Sequence, residues 1–398
     1  MNEGAESNVN PKENIHTRGR VFRVLMEKIW DQRLLKGLEN RELLDQTWIE
    51  SEVVVRRTGK HEILYDDHSF GWWLFGEDSE NNTIKLPIEY AQSALQLNVD
   101  HVVSERAAQE KNDVKGLEKC RENAQILGDY LLEKRYRIVH LCDIVPNLFS
   151  PETLGKLAEI YDIQFTPQSS TISKYGNIVE SGTMTLIPAG SSDEYTTTLL
   201  PDATGVREIT ENTEHETNFL FSSTAIHYAD QLIVTGHWSA FSSPKTRLAT
   251  FEQLLKFLQP NVQTKNIHFG GDVNTYNAVN SENSINGLKP LTFLPEIYKD
   301  NLDEVNYRKE MTQKIDLHYN TSDSPSFRGV SNQELIRKPY SLTTRLKRLF
   351  FEGVVGIVPI DYRLDVFITQ SQRKIELVSL DFTDHYGVVV AVEENSMI

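Results

Sequence analysis

The sequence predicts an α/β protein with sheet packed on sheet, helices outside, and an extension at its N-terminus. Three observations carry that expectation. Short apolar runs of strand length recur from residue 91 onward, such as 94–98, 136–142, 183–187, 232–235, 267–269 and 363–368. Stretches with apolar residues at helical spacing lie between several of them. No segment repeats at a fixed period, which argues against solenoids and propellers. Strands interleaved with helices suit layered sheets covered by helices.

The elements follow in chain order. Residues 1–18 are polar and read as disordered. Phe22, Leu25, Met26, Ile29 and Leu34 mark a helix. Short strands are expected at 53–55, 63–65 and 71–75, the last holding a Trp72–Trp73 pair that suits core packing. Residues 1–90 form the extension, and 91–398 the main domain. A strand ends at Asn98, and the charged stretch 104–113 reads as an exposed insertion. Leu117, Cys120, Ala124, Leu127 and Leu131 share one helix face, and the next strand ends at Asp143. Ser150 and Pro151 have the chemistry of a helix start, an N-cap followed by a proline at the first helical position. Residues 171–235 are rich in strands, including 195–200 and 219–221, with a loop at 212–215. A helix spans 244–258. Residues 277–335 read as loops with one or two helices, and 337–348 as a basic segment. Strands at 363–368 and 375–378, then an apolar run after His385, complete the chain.

Composition narrows the function. The 398 residues carry a formal charge of −16, with 25% charged and 39% hydrophobic residues. Such a balance opposes gripping long polyanions by bulk charge. A phosphoester substrate remains open, because a metal ion supplies local positive charge. Two cysteines, Cys120 and Cys142, exclude a disulfide scaffold. The first residues lack an apolar core and no run approaches membrane-spanning length, so a soluble, by default cytoplasmic, protein is expected.

The chemistry gathers at strand ends. Residues 264–276 end a buried strand at Phe269, break it with Gly270 and Gly271, then place Asp272 and Asn274 on one face. Alone, such a stretch also reads as a Gly-Asp-x-Asn turn. Four more strand ends carry polar groups: Asn98, Asp143, His237, and Asp384 with His385. Asp365 lies in an otherwise apolar strand, where an acid needs a partner. His385 is the natural one, because a carboxylate fixes a histidine tautomer. Taken singly, His237 also reads as a core histidine and Asp384–His385 as a turn.

In this order the motifs form a set. They are Leu-Asn (97–98), His-Leu-Cys-Asp-Ile-Val (140–145), Thr-Gly-His-Trp-Ser (235–239), Gly-Gly-Asp-Val-Asn (270–274), Arg-Leu-Asp-Val-Phe (363–367) and Thr-Asp-His-Tyr-Gly-Val (383–388). Over residues 91–393 the chain resembles the endonuclease/exonuclease/phosphatase family, the DNase I-like phosphoesterases. The resemblance implies a four-layer α/β sandwich and water attack on phosphorus. It implies that Asp143 and Asp384, with Asn98 beside them, bind Mg²⁺, with Mn²⁺ as a substitute. It implies that Asp272 activates the water and Asn274 holds it. His237 and His385 would contact the phosphate, and Asp365 would orient His385. The chain departs from the family pattern at Asp143, where glutamate is usual, and at Thr383, where serine is usual. The Asn98–Asp143 spacing is also longer. The implied substrate is a nucleic acid, a nucleotide, or an inositol or lipid phosphate. The basic segment 337–348 would face nucleic acid or an anionic membrane, or form a solvated helix face. A family member that lost catalysis and acts by binding a partner is the competing reading. Oligomeric state is not legible.

Overall fold

The computed structural model describes residues 49–50, 53–58, 61–66, 72–76, 88–100, 114–172, 178–189, 195–201, 221–228, 230–238, 244–274, 294–324, 326, 364–383 and 385–392. The expected helix at 22–34, the insertion 104–113, the loop 212–215, the basic segment and Asp384 lie outside the described residues.

The strands, in chain order, begin with β1 (Ile49–Glu50), β2 (Val53–Thr58), β3 (His61–Asp66), β4 (Trp72–Gly76), β5 (Ala91–Asn98) and β6 (Tyr136–Ile144). Next come β7 (Tyr161–Ile172), β8 (Ile178–Pro188), β9 (Tyr195–Pro201), β10 (Phe221–Tyr228) and β11 (Gln231–His237). The last are β12 (Asn266–Asp272), β13 (His318–Thr321), β14 (Asp365–Thr369), β15 (Ile375–Val378) and β16 (Gly387–Ala391). The helices are α1 (Val114–Lys134), α2 (Pro151–Ile160), α3 (Pro244–Leu258) and α4 (Leu294–Gln313).

Among the described residues one sheet has seven strands, in the order β1-β9-β10-β11-β12-β14-β13. The other has nine, in the order β15-β16-β5-β6-β8-β7-β4-β3-β2. Each sheet is mostly antiparallel with one parallel pair, β11–β12 in the first and β5–β6 in the second. Strands β2–β4 join the larger sheet through β4–β7 pairing, and β1 joins the edge of the other.

Three apolar layers follow from the alternation of side chains along each strand. Leu95, Leu97, Val139, Leu141, Phe165 and Leu186 turn outward onto α1 and α2. Val234, Ile267, Phe269, Val366 and Ile368 turn outward onto α3 and α4, meeting Phe251, Leu254 and Leu258. Between the sheets lie Trp73, Ala94, Ile138, Ile187, Ile233, Phe367, Val388 and Val390. The result is a four-layer α/β sandwich. Helix α2 starts as its sequence predicts: the Ser150 Oγ accepts the Thr153 N–H at 3.0 Å, and Pro151 opens the first turn.

The inter-sheet layer changes character along the strands. At one end it is aliphatic. Further on it holds Gln96, His140, Thr185 and Thr235, all buried. At the C-terminal ends of the two parallel pairs it reaches Asn98, His237 and Asp272. Alternation therefore delivers a row of polar side chains to one edge of the interface between the sheets.

Candidate active site

Strand register places the groups. His237 stands opposite Asp272 in the parallel β11–β12 pair, and Asp272 opposite Asp365 in β12–β14. From the other sheet, Asn98 pairs with Cys142, one residue before Asp143. Strand β12 can lie this close to its neighbours because of its glycines. A Cβ on Gly271 would stand 2.3 Å from the Gly236 carbonyl oxygen, and one on Gly270 would stand 2.5 Å from the His140 ring.

Asp272 is buried at 1% exposure, and donors hold both its oxygens. Asn98 Nδ2 donates to Oδ2 at 2.8 Å, and the Asn274 N–H donates to Oδ1 at 2.9 Å. Asn274 has a φ of 47°, a left-handed conformation that Asn tolerates better than most side chains, and its Nδ2 donates to the Trp238 carbonyl at 2.6 Å. The Gly-Asp-x-Asn stretch is thus a turn, as local chemistry alone expects, and also a turn whose two polar side chains are spent on site geometry.

Asp365 is fully buried and met by two donors. Gln96 Nε2 donates to its Oδ1 at 2.9 Å. His385 Nδ1 lies 3.0 Å from its Oδ2. This is the Asp365–His385 pair that the sequence predicts. On the other side of the ring, His385 Nε2 stands 3.9 Å from Asp272 Oδ2. That gap is too long for a hydrogen bond. One oxygen atom placed between them could reach both. The Thr383 hydroxyl donates to the Asn98 carbonyl at 3.0 Å and accepts the His385 N–H at 3.2 Å.

Burial pushes the Asp272 carboxyl up, to about 6, and the neighbouring Asp365 charge adds to the rise. His385, His237 and the Asn98 hydrogen bond oppose it. A carboxylate whose proton affinity is raised toward neutral pH is suited to taking a proton from water.

Asp143 sits at the mouth, with its side chain 21% exposed and its Oδ1 4.0 Å from His237 Nδ1. Its φ is 56°, inside β6, where the pairing with β8 shifts register between Leu141 and Ile144 as at a bulge. Asp272, Asp365 and His385 offer donor atoms within 4.8 Å of one another. All four oxygens of those two aspartates already accept hydrogen bonds from the protein. The Asp143 carboxylate and the Asn98 Oδ1, which faces the Asp100 N–H at 2.9 Å, are the hard oxygens nearer the mouth.

Gln96 and Trp238 are the residues that sequence reasoning passed over. Gln96 had a signal: it lies two residues before Asn98 on one strand and so shares its face. Trp238 stood inside the Thr-Gly-His-Trp-Ser motif, but only the structure shows its backbone tied to Asp272 and Asn274.

No family model matches the sequence, and no curated protein matches it. Solved structures do resemble the fold. One is an endonuclease/exonuclease/phosphatase from Beutenbergia cavernae, at 14% identity and a TM-score of 0.41, covering 75% of this chain and 70% of that one. A mannosyl-6-phosphatase from Bacteroides thetaiotaomicron has 9% identity and a TM-score of 0.40, covering 75% and 98%. TDP2 from D. rerio, solved with a single strand DNA product, has 14% identity and a TM-score of 0.38, covering 75% and 97%.

Proposed function

We propose that this chain is a phosphoester hydrolase of the endonuclease/exonuclease/phosphatase type. One observation carries the reading: Asp365, His385 and Asp272 line up across the two sheets, leaving a 3.9 Å gap between His385 Nε2 and Asp272 Oδ2. A water bound beside Asp272 would be oriented by its carboxylate and lose a proton to it as it attacks phosphorus. Asn98 and the Asn274 N–H hold that carboxylate in place. His385, its Nδ1 facing Asp365, would present Nε2–H to a phosphate oxygen, where charge grows in the transition state. His237, opposite Asp272 in register, would do the same from the other side. Asp143 with Asn98, joined by Asp384, would hold a divalent cation, Mg²⁺ or Mn²⁺. Such an ion would neutralise phosphate charge and assist the leaving oxygen.

The test is hydrolysis of bis-p-nitrophenyl phosphate with Mg²⁺ or Mn²⁺ and with EDTA. The expected result is turnover that EDTA abolishes and that Asp272→Asn lowers by roughly 10²–10⁴-fold. No turnover with either ion, or full turnover in Asp272→Asn, would refute the reading. DNA, RNA, phosphoinositides and sphingomyelin, assayed in parallel, identify the substrate class.

A further inference from the structure

Behind the site lies a buried ion cluster that the reaction above does not use. Arg247 of α3 donates to Glu304 of α4 through Nε at 3.2 Å and Nη2 at 2.9 Å. Arg308, one turn on, donates through Nη2 to the same carboxylate and through Nη1 to the Tyr319 hydroxyl of β13 at 3.5 Å. All three charged side chains are buried. Both guanidinium groups reach the same Glu304 carboxylate.

Arg308 also meets two aromatic rings. The Arg308 guanidinium carbon lies 4.9 Å from the centre of the Trp238 ring and 5.4 Å from that of Phe251. An indole face is the best aromatic acceptor for a cation, and more so when desolvated. The ring is further set by Phe251, Phe269 and a 3.4 Å contact from Nε1 to the Ser223 hydroxyl. Trp238 also follows His237 directly. Its N–H donates to the Asp272 carbonyl at 2.9 Å, and its carbonyl accepts Asn274 Nδ2 at 2.6 Å. One residue therefore ties the ends of β11 and β12 together, next to the side chains of His237, Asp272 and Asn274.

We infer that Arg308, fixed by Glu304 and Arg247, is a positioning residue for the hydrolytic site, acting through the Trp238 ring. It holds the indole against the sheet, and the indole's own backbone sets the Asp272–Asn274 turn. A loss of about 1 Å in such placement costs up to roughly 10²-fold in rate. The kinetic arm of the test rests on the phosphoesterase reading. The exchange arm does not.

Three variants decide it. Arg308→Met keeps length and removes the cation. Arg308→Lys restores a cation under the ring and beside Glu304. Trp238→Leu removes the ring while all three charges stay paired, and carries the test where Arg308→Met does not fold. In folded protein, Arg308→Met and Trp238→Leu are expected to lower kcat at least tenfold with KM within threefold. Arg308→Lys is expected to recover part of kcat. Amide exchange should quicken at Trp238 and Asn274 relative to β16. A variant that melts at lower temperature but keeps wild-type kcat would overturn the inference, as would unchanged exchange at those two amides. If the wild-type protein hydrolyses no phosphoester, the functional reading fails, and the exchange comparison alone decides the inference.

Discussion

Asp365 shows how a single charge is kept at full burial. Its two oxygens face two donors, the Gln96 amide at 2.9 Å and His385 Nδ1 at 3.0 Å. The sequence made half of this legible. An aspartate in an apolar strand needs a partner, and His385 is the histidine nearest it in chain order. Gln96 lies 269 positions from Asp365, and the pairing exists only because β5 and β14 meet across the sheets. Replacing Gln96 with Leu keeps the bulk and leaves Asp365 Oδ1 without its donor. An unsatisfied buried acceptor costs about 1–3 kcal/mol, more when charged. Gln96→Leu is therefore expected to lose at least that much stability in urea, with kcat falling alongside because His385 loses its fixed partner. A Gln96→Leu protein as stable as wild type would show that Asp365 does not depend on this amide.

At the scale of elements, β12 is the one whose sequence leaves least room for change. Gly271 sits where a Cβ would meet the Gly236 backbone at 2.3 Å, and backbone cannot swing aside as a side chain can. Gly271→Ala must push β11 from β12 beside the His237–Asp272 pair. Overpacking of this kind costs roughly 1–3 kcal/mol or more. Both the melting temperature and kcat are expected to fall, and a change in melting temperature with kcat untouched would separate strand packing from site geometry. Elements with an apolar inner face were legible. Helix α3 spans the residues its periodicity predicts, and α1 buries the stripe of Cys120, Ala124, Leu127 and Leu131. Elements with a polar inner face were not. Helix α4 turns Glu304, Arg308 and Thr312 inward, one turn apart, so its buried stripe reads as a solvated one. Strand β7 buries Asp162, Gln164, Thr166 and Gln168, so its inner face carries no apolar signal. Strand β10 begins where the short run at 219–221 ends, because its buried Ser222, Ser223 and Thr224 carry no apolar signal.

Across the whole molecule, the layer between the sheets divides into an aliphatic part and a polar part. That division makes acid the condition under which the sandwich should fail. Between the sheets, His140 Nδ1 lies 2.7 Å from the Thr235 hydroxyl, which meets Thr185 Oγ1 at 2.5 Å. His140 Nε2 lies 3.3 Å from His268 Nδ1, with the rings stacked. Burial holds both imidazoles well below their ordinary value, His268 at about 4, where the nearby Arg373 charge also lowers it. In the unfolded chain they titrate near the usual 6.5. The unfolded state therefore binds protons first as pH falls, and folding stability contributed by their neutrality is complete above about pH 6.5 and lost toward pH 4. For His268 alone that loss is on the order of 3 kcal/mol. Asp272, whose carboxyl burial raises, opposes the trend between about pH 6 and its unfolded value. Melting temperatures measured from pH 8 to pH 5 should therefore fall steeply below pH 6.5 in the wild-type protein. His268→Gln, which can still accept or donate toward His140, should fall less steeply over the same range. Parallel curves for the two proteins would place the acid sensitivity outside His268.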